Sequence, residues 1–427
     1  MKQYVSNTIK YILKLESKIA FYPSLLSLSG LLFALLMYYF ESKGVSTYLL
    51  EHAPVLVVND TETARSLLTT FIAGLISIMV FSFSLVMILL NQASSNFSPR
   101  VLPGLISNRR HQIILGIYNS TLLYCIFTLV SIEPNGNEYQ LPGFSVLLAI
   151  VLMTLCLGAF IYFIHSISQE IQVNNIMDRI FNTAKLRLNK LIDSENTNIN
   201  EFPDTSNWKT IRSNNSGYFQ DISIKALTII TEREQMKLEI LPLKGSYVLK
   251  ELPILKVNQD LDDNVLNEIL SSLLFSKSEL IEDNYVLAFK QITEIAVKAM
   301  SPGINDPGTA LNAIDYLTEL FALRLQKSNT SIICDENSSP ILKVSTVDFK
   351  DLLFQVMAAL RTYCKHDIVI VQKLFFMLNY LYKSETMALE IYKDAIKQEL
   401  ENLYEDALEN IKTDADVKAI KFLHPTI

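Results

Sequence analysis

SLLTTFIAGLISIMVFSFSLVMILL, residues 66–90, is twenty-five residues without a single charged side chain. A helix rises about 1.5 Å per residue, and a bilayer core about 30 Å thick needs roughly 20 apolar residues to cross it. This stretch therefore reads as a transmembrane helix. Three others follow the same rule: AFYPSLLSLSGLLFALLMYYF (20–40), IILGIYNSTLLYCIFTLVSI (113–132) and GFSVLLAIVLMTLCLGAFIYFIHS (143–166). Asn119, Ser120 and Thr121 dilute the third. The first carries aromatic residues at both ends, as interfacial belts require.

Composition agrees. Of the 427 residues, 50% are hydrophobic and 19% charged, with a mean hydropathy of +0.25; soluble domains carry about 25% charge. The net charge of −7 and the lack of a Lys/Arg cluster argue against a nucleic-acid partner. The four cysteines, Cys125, Cys156, Cys334 and Cys364, show neither metal-ligand nor disulfide spacing.

Loop charges orient the spans. Lys2, Lys10, Lys14 and Lys18 precede the first; Arg100, Arg109 and Arg110 lie between the second and third; Arg179, Lys185, Arg187 and Lys190 follow the fourth. The loop at 133–142 has no Lys or Arg, and that at 41–65 only Lys43 and Arg65. The positive-inside rule places both termini in the cytoplasm. Residues 1–19 are a cytoplasmic or interfacial segment. The four-residue spacing of Lys10, Lys14 and Lys18 suits an interfacial helix or a solvated lead-in.

Beyond the four-helix domain (20–166), helical periodicity runs through 170–193, so 167–215 reads as an extension of the fourth helix and a linker. In MKLEILPLKGSYVLKELPILKV (236–257), alternation about Lys244-Gly245 predicts a hairpin within a small β module at 216–258. Residues 259–427 return to helices, near 263–276, 284–300, 308–326, 347–363, 367–382 and 385–411. Charges of the last, including Glu390, Lys393, Lys397 and Glu401, suit a solvated face. The fold class is thus a predominantly α membrane protein: four transmembrane helices, a small β module and a helical cytoplasmic domain.

Two features invite a functional reading. The first is AMSPGINDPGTA (299–310). Pro302 stops one helix, Gly303 can take a positive φ, and Asp306 caps the next helix with Pro307 at its first position. Ser301, Pro302, Gly303, Asn305, Asp306 and Pro307 form a helix–helix corner whose local grammar is structural. The same groups also suit an ion, through helix N–H groups or the Asp306 carboxylate.

The second is a polar stripe in the second span. Thr63, Thr70, Ser77, Ser84, Asn91 and Ser98 are spaced by seven, with Ser66, Gly74 and Ser95 nearby on the helix surface. Small hydroxyl residues pack transmembrane helices closely. In a symmetric oligomer they can instead line a pore, with Phe81 as an apolar constriction and Arg65 and Arg100 as flanking charges. No Asp, Glu, Lys or Arg lies inside the spans, which weighs against a proton-coupled pump or voltage sensor.

AVKAMSPGINDPGTALNAIDYL (296–317) resembles the signature of a bacterial family of predicted membrane proteins, domain of unknown function 2254. NQASSNFSPRVL (91–102) and SGYFQDI (216–222) resemble two further stretches of it, in the same order. Ser278-Glu279 stands where the family pattern has Arg-Thr. Glu282-Asp283 stands where it has Gln-Asp, keeping only the aspartate. The resemblance implies the four-span topology over nearly the whole chain and implies no activity.

His52, His111, His165, His366 and His424 show no metal-binding spacing, and no nucleotide loop or nucleophile elbow is present. The sequence nominates no catalytic residue, metal or cofactor. It leads to a homo-oligomeric channel or pore in the lipid bilayer, passing an ion or small solute under a cytoplasmic regulatory domain. The alternative is a membrane-anchored sensor or scaffold binding a ligand or protein through that domain.

Overall fold

The computed structural model describes residues 20–96, 109–132, 141–170, 172–193, 201–276, 284–335, 339–384 and 389–423. Residues 1–19 lie outside these, and the expected interfacial helix with them. The chain divides into two compact units, Met1–Gln172 and Val173–Ile427.

In the first unit, α1 (Phe21–Ser42) turns at Gly44 into a short α2 (Val45–His52) and a 3-10 turn at Pro54–Leu56. Gly44 has φ +83°, a left-handed conformation that costs glycine little. Helices α3 (Thr61–Asn96), α4 (Arg109–Val130) and α5 (Gly143–Glu170) follow. Asp60 opens α3 by accepting from the Thr63 N–H at 2.8 Å. Among the described residues, α1, α3, α4 and α5 are the four helices long and apolar enough to cross a bilayer.

Helix α4 packs against the other three, and this explains the polar residues that dilute it. A Cβ added to Gly30 of α1 would lie 2.4 Å from Ser120 Oγ and 2.5 Å from Ser120 O, so the two backbones cross in near contact. Thr121 accepts a weak hydrogen bond from Cys156 Sγ at 3.3 Å, and Tyr124 donates to Ser145 O at 3.0 Å. Lipid tails are as apolar as leucine, so close approach and hydrogen bonding, rather than burial from water, hold such helices together.

The second unit begins with α6 (Val173–Asp193), packed on α9 (Tyr285–Ala299) and α10 (Pro307–Arg324). The expected continuous helix through 170–193 is therefore interrupted: Gln172 is not helical. The apolar stripe of Ile176, Ile180, Ala184 and Leu188 is buried in the second unit. Periodicity alone runs through such a break, because both sides keep the same 3.6-residue repeat.

A five-stranded sheet has the order β1-β5-β3-β8-β7, from β1 (Lys209–Arg212), β3 (Leu238–Ile240), β5 (Pro253–Val257), β7 (Thr330–Cys334) and β8 (Pro340–Ser345). A three-stranded sheet has the order β4-β2-β6, from β2 (Gly217–Ile222), β4 (Tyr247–Val248) and β6 (Leu273–Ser276). Strands thus extend well beyond 216–258. The expected hairpin about Lys244-Gly245 does not close. β3 pairs instead with β5, and β4 between them crosses to β2. Gly245 has φ +86° and its N–H donates to Phe219 O at 2.8 Å, which redirects the chain.

Helix α7 (Ile224–Arg233) lies between β2 and β3, and α8 (Asp263–Ser271) ends before β6, so the expected helix at 263–276 stops at Ser271 and gives way to a strand. Helices α11 (Phe349–Cys364), α12 (Ile368–Tyr382), α13 (Leu389–Asn410) and α14 (Asp414–Leu423) complete the unit. A row of rings, Phe289–Phe321–Phe349–Tyr392, with centroids 4.6, 5.9 and 4.5 Å apart, ties α9, α10, α11 and α13 into one core.

Candidate functional site

Helix α3 carries two rows spaced by seven. Leu68, Leu75, Ser82 and Leu89 are buried against the other helices of the unit. Thr63, Thr70, Ser77, Ser84 and Asn91 are exposed, as is Ser66. Two positions separate the rows, about 200° of turn at 3.6 residues per turn. The polar row therefore lies on a face that the described residues of the first unit leave uncovered, and their packing does not account for it.

Three hydroxyls of the polar row are internally satisfied as donors. Thr70 Oγ1 donates to Ser66 O at 2.7 Å, Ser77 Oγ to Ala73 O at 2.9 Å, and Ser84 Oγ to Val80 O at 2.9 Å. Back-bonding lowers the cost of holding a hydroxyl at an apolar depth and leaves lone pairs open as acceptors.

Two expected members sit differently. Gly74 is half-buried, with the position of an added Cβ 3.5 Å from Met153 Cε of α5, so it serves the contact with the fourth span. Phe81 is exposed, but its ring stands edge-on to Phe160 of α5 with centroids 5.9 Å apart. Arg65 is exposed at the start of α3. Ser98 and Arg100 lie outside the described residues, as does the Ser95 side chain.

The corner between α9 and α10 is exposed from Pro302 to Gly308. Asp306 is the N-cap: Oδ1 accepts from Thr309 N at 3.1 Å and Oδ2 from Thr309 Oγ1 at 2.6 Å, with Pro307 in the first turn. Asn305, with φ +49°, takes the left-handed conformation expected of Gly303. Asparagine tolerates that region, and its N–H donates to Ser301 O at 2.9 Å. The Ser301 hydroxyl donates to Lys298 O at 2.7 Å, and Asp306 N to Ala299 O at 2.8 Å. These bonds give the corner a folding role. Ser278, Glu279, Glu282 and Asp283 lie outside the described residues.

Sequence reasoning passed over Glu41. At the end of α1, its Oε1 accepts from both the N–H and the hydroxyl of Ser145 at 2.9 Å. Its Oε2 accepts from Ser46 Oγ at 2.6 Å, and Ser46 Oγ in turn accepts from Phe144 N at 3.0 Å. A carboxylate thus caps the start of α5, where the helix dipole favours negative charge. Its position just past the first apolar run was the available signal.

A second omission is Arg324, fully buried. It donates to Lys327 O at 2.6 Å and to Asn329 Oδ1 and Val347 O at 2.7 Å, lying 5.9 Å from the Tyr392 ring.

Four helices long and apolar enough to cross a bilayer, followed by a unit of small sheets and packed helices, are consistent with an integral membrane protein carrying an appended α/β unit. Comparison with known families agrees. The model described as "Predicted membrane protein (DUF2254)" matches residues 16–380, and the chain belongs to that family. It is similar to the uncharacterised proteins Mb1321c of Mycobacterium bovis and Rv1290c of Mycobacterium tuberculosis. Each is 23% identical over 274 residues, which is 60% of this chain and 51% of the relative. The chain thus spans about half the length of the curated relatives it matches. No solved structure matches.

Proposed function

We propose that the protein is a homo-oligomeric channel or pore for an ion or small solute, with α3 lining the axis and the second unit regulating it from the cytoplasm. One observation carries this reading: the exposed polar row of α3, opposite its buried seam. A row of hydroxyls and an asparagine, flanked on the same side by the exposed Phe81 and Ile88, itself has little to gain from lipid tails. It suits the same face of neighbouring copies, or a water-filled axis between them. The seven-residue spacing fits a helix winding in a left-handed supercoil around such partners. Thr70, Ser77, Ser84 and Asn91 would line the path. Gly74 and Phe81 would stand at its flank, and Arg65 and Arg100 near its two ends. The loop charges support termini on the cytoplasmic side.

The test is reconstitution of the purified full-length protein in planar bilayers. The reading expects a conductance or solute flux that Ser77→Leu and Ser84→Leu reduce at least tenfold. A silent bilayer under all ionic conditions, with a monomer lacking an axial cavity, would overturn it in favour of the anchored sensor or scaffold.

A further inference from the structure

The first unit holds a cleft of about 550 Å³ at the end of the bundle where α5 begins. Its wall includes Tyr38, Glu41, Thr47, Leu50, Val57 and Asn59. Glu41 is the charged side chain among the lining residues, and its two oxygens already accept from Ser145 N, Ser145 Oγ and Ser46 Oγ. A carboxylate offers about four acceptor directions, so roughly one is left for something inside the cleft. Among the described residues no Lys, Arg or His forms an ion pair with Glu41; the nearby Lys43 ammonium lies over the Tyr39 ring instead, at 5.5 Å. The three donors at the start of α5 and on Ser46 fix the carboxylate in place.

The rest of the wall narrows the ligand. Tyr38 contributes a phenol ring, Leu50 and Val57 apolar surface, and Thr47 and Asn59 short polar groups. A fixed carboxylate beside an aromatic ring and aliphatic side chains is chemistry suited to a substituted ammonium: charge to charge, methyl groups to the ring and the aliphatic wall. A hydrated metal ion would have little use for the apolar half. We infer that this cleft binds a small organic ammonium group, carried either by a free amine or by the headgroup of a lipid.

The experiment uses the full-length protein in nanodiscs of phosphatidylglycerol alone, titrated with choline and with its uncharged isostere 3,3-dimethyl-1-butanol, and read by saturation-transfer NMR. The expected result is saturable choline binding, at least tenfold tighter than the isostere, and weakened at least tenfold by Glu41→Gln. Leu50→Trp fills the cleft while leaving the bonds of Glu41 in place. It should abolish binding, and it keeps the test informative if Glu41→Gln fails to fold. Phosphatidylethanolamine added to the nanodiscs separates the two sources: competition with choline supports the lipid headgroup, and undiminished choline binding supports a free amine. Equal binding of choline and its isostere, or choline binding that survives Leu50→Trp, would overturn the inference. Neither readout requires conductance, so a silent bilayer and an empty cleft are distinguishable failures.

Discussion

Gly30→Ala tests the close approach of α1 and α4. In a helix without a neighbour at that point, the exchange gains up to about 1 kcal/mol of helix propensity. Here the new methyl would lie 2.4 Å from Ser120 Oγ, 2.5 Å from Ser120 O and 2.6 Å from Ser120 Cα. Restoring ordinary contact requires the two backbones to separate by about 1 Å, and overpacking of this kind costs about 1–3 kcal/mol. The overpacking cost wins over most of its range, leaving a net loss of up to about 2 kcal/mol. In a unit of this size that lowers the unfolding midpoint by up to about 4–8 °C. Cys125 and Cys156 are fully buried in the same unit, so their labelling by a thiol-reactive dye on heating reports its unfolding. Cys334 and Cys364 are replaced beforehand to silence the second unit. Two of the three clashing atoms are backbone, so adding Ser120→Gly should recover less than half of the loss. A midpoint that rises in Gly30→Ala, or full rescue by Ser120→Gly, would refute the crossing geometry.

In the second unit, Asp306→Ala should cost about 1 kcal/mol through the lost cap, measured as a lower denaturation midpoint. Unchanged stability with lost transport would instead favour a ligand role for the corner. Arg324→Leu should cost about 2 kcal/mol, since it takes a charged donor from the half-buried Val347 carbonyl and one of two donors from the Lys327 carbonyl, which keeps Tyr392 Oη. Chemical denaturation followed at Trp208 reads that loss. Burial raises the Glu399 carboxyl above the ordinary carboxylate value, against the pull of Arg361 at 3.3 Å and Asn402 at 3.1 Å. The folded state then binds the proton more tightly than the unfolded state. Between the ordinary value and the raised one, stability therefore falls as pH rises. Glu399→Gln should flatten that slope, and pH-dependent unfolding of wild type and variant checks it. Arg361 keeps Asp406 at 2.7 Å in the variant, so its charge is not stranded.

The four long apolar helices were legible because their length and apolarity are written locally in the chain. The Asp306 cap was legible for the same reason: its partner is three residues away. What was misread depended on distant partners. β4 leaves the β3–β5 pair for β2 because of what lies across the sheet, which alternation about Gly245 cannot encode. Residues 330–334 and 340–345 form two strands, and the second pairs with the distant β3, Leu342 opposite Leu238. Ser120 diluted a hydropathy pattern for a reason found only in Gly30, and Glu41 ended an apolar run while bonding to Ser145. The polar row of α3 was visible as a period, but which side of the helix the chain covers required the packing of α4 and α5.

The central claim is that this uncovered row of α3 meets the same row of another copy. It is tested most directly by oxidative cross-linking in native membranes, in a chain whose four cysteines are replaced. Ser77→Cys, on the row, should form a disulfide-linked dimer in high yield, whereas Phe83→Cys, exposed on a different side of the helix, should not. Equal yields at the two positions, or no dimer at Ser77, would contradict the account.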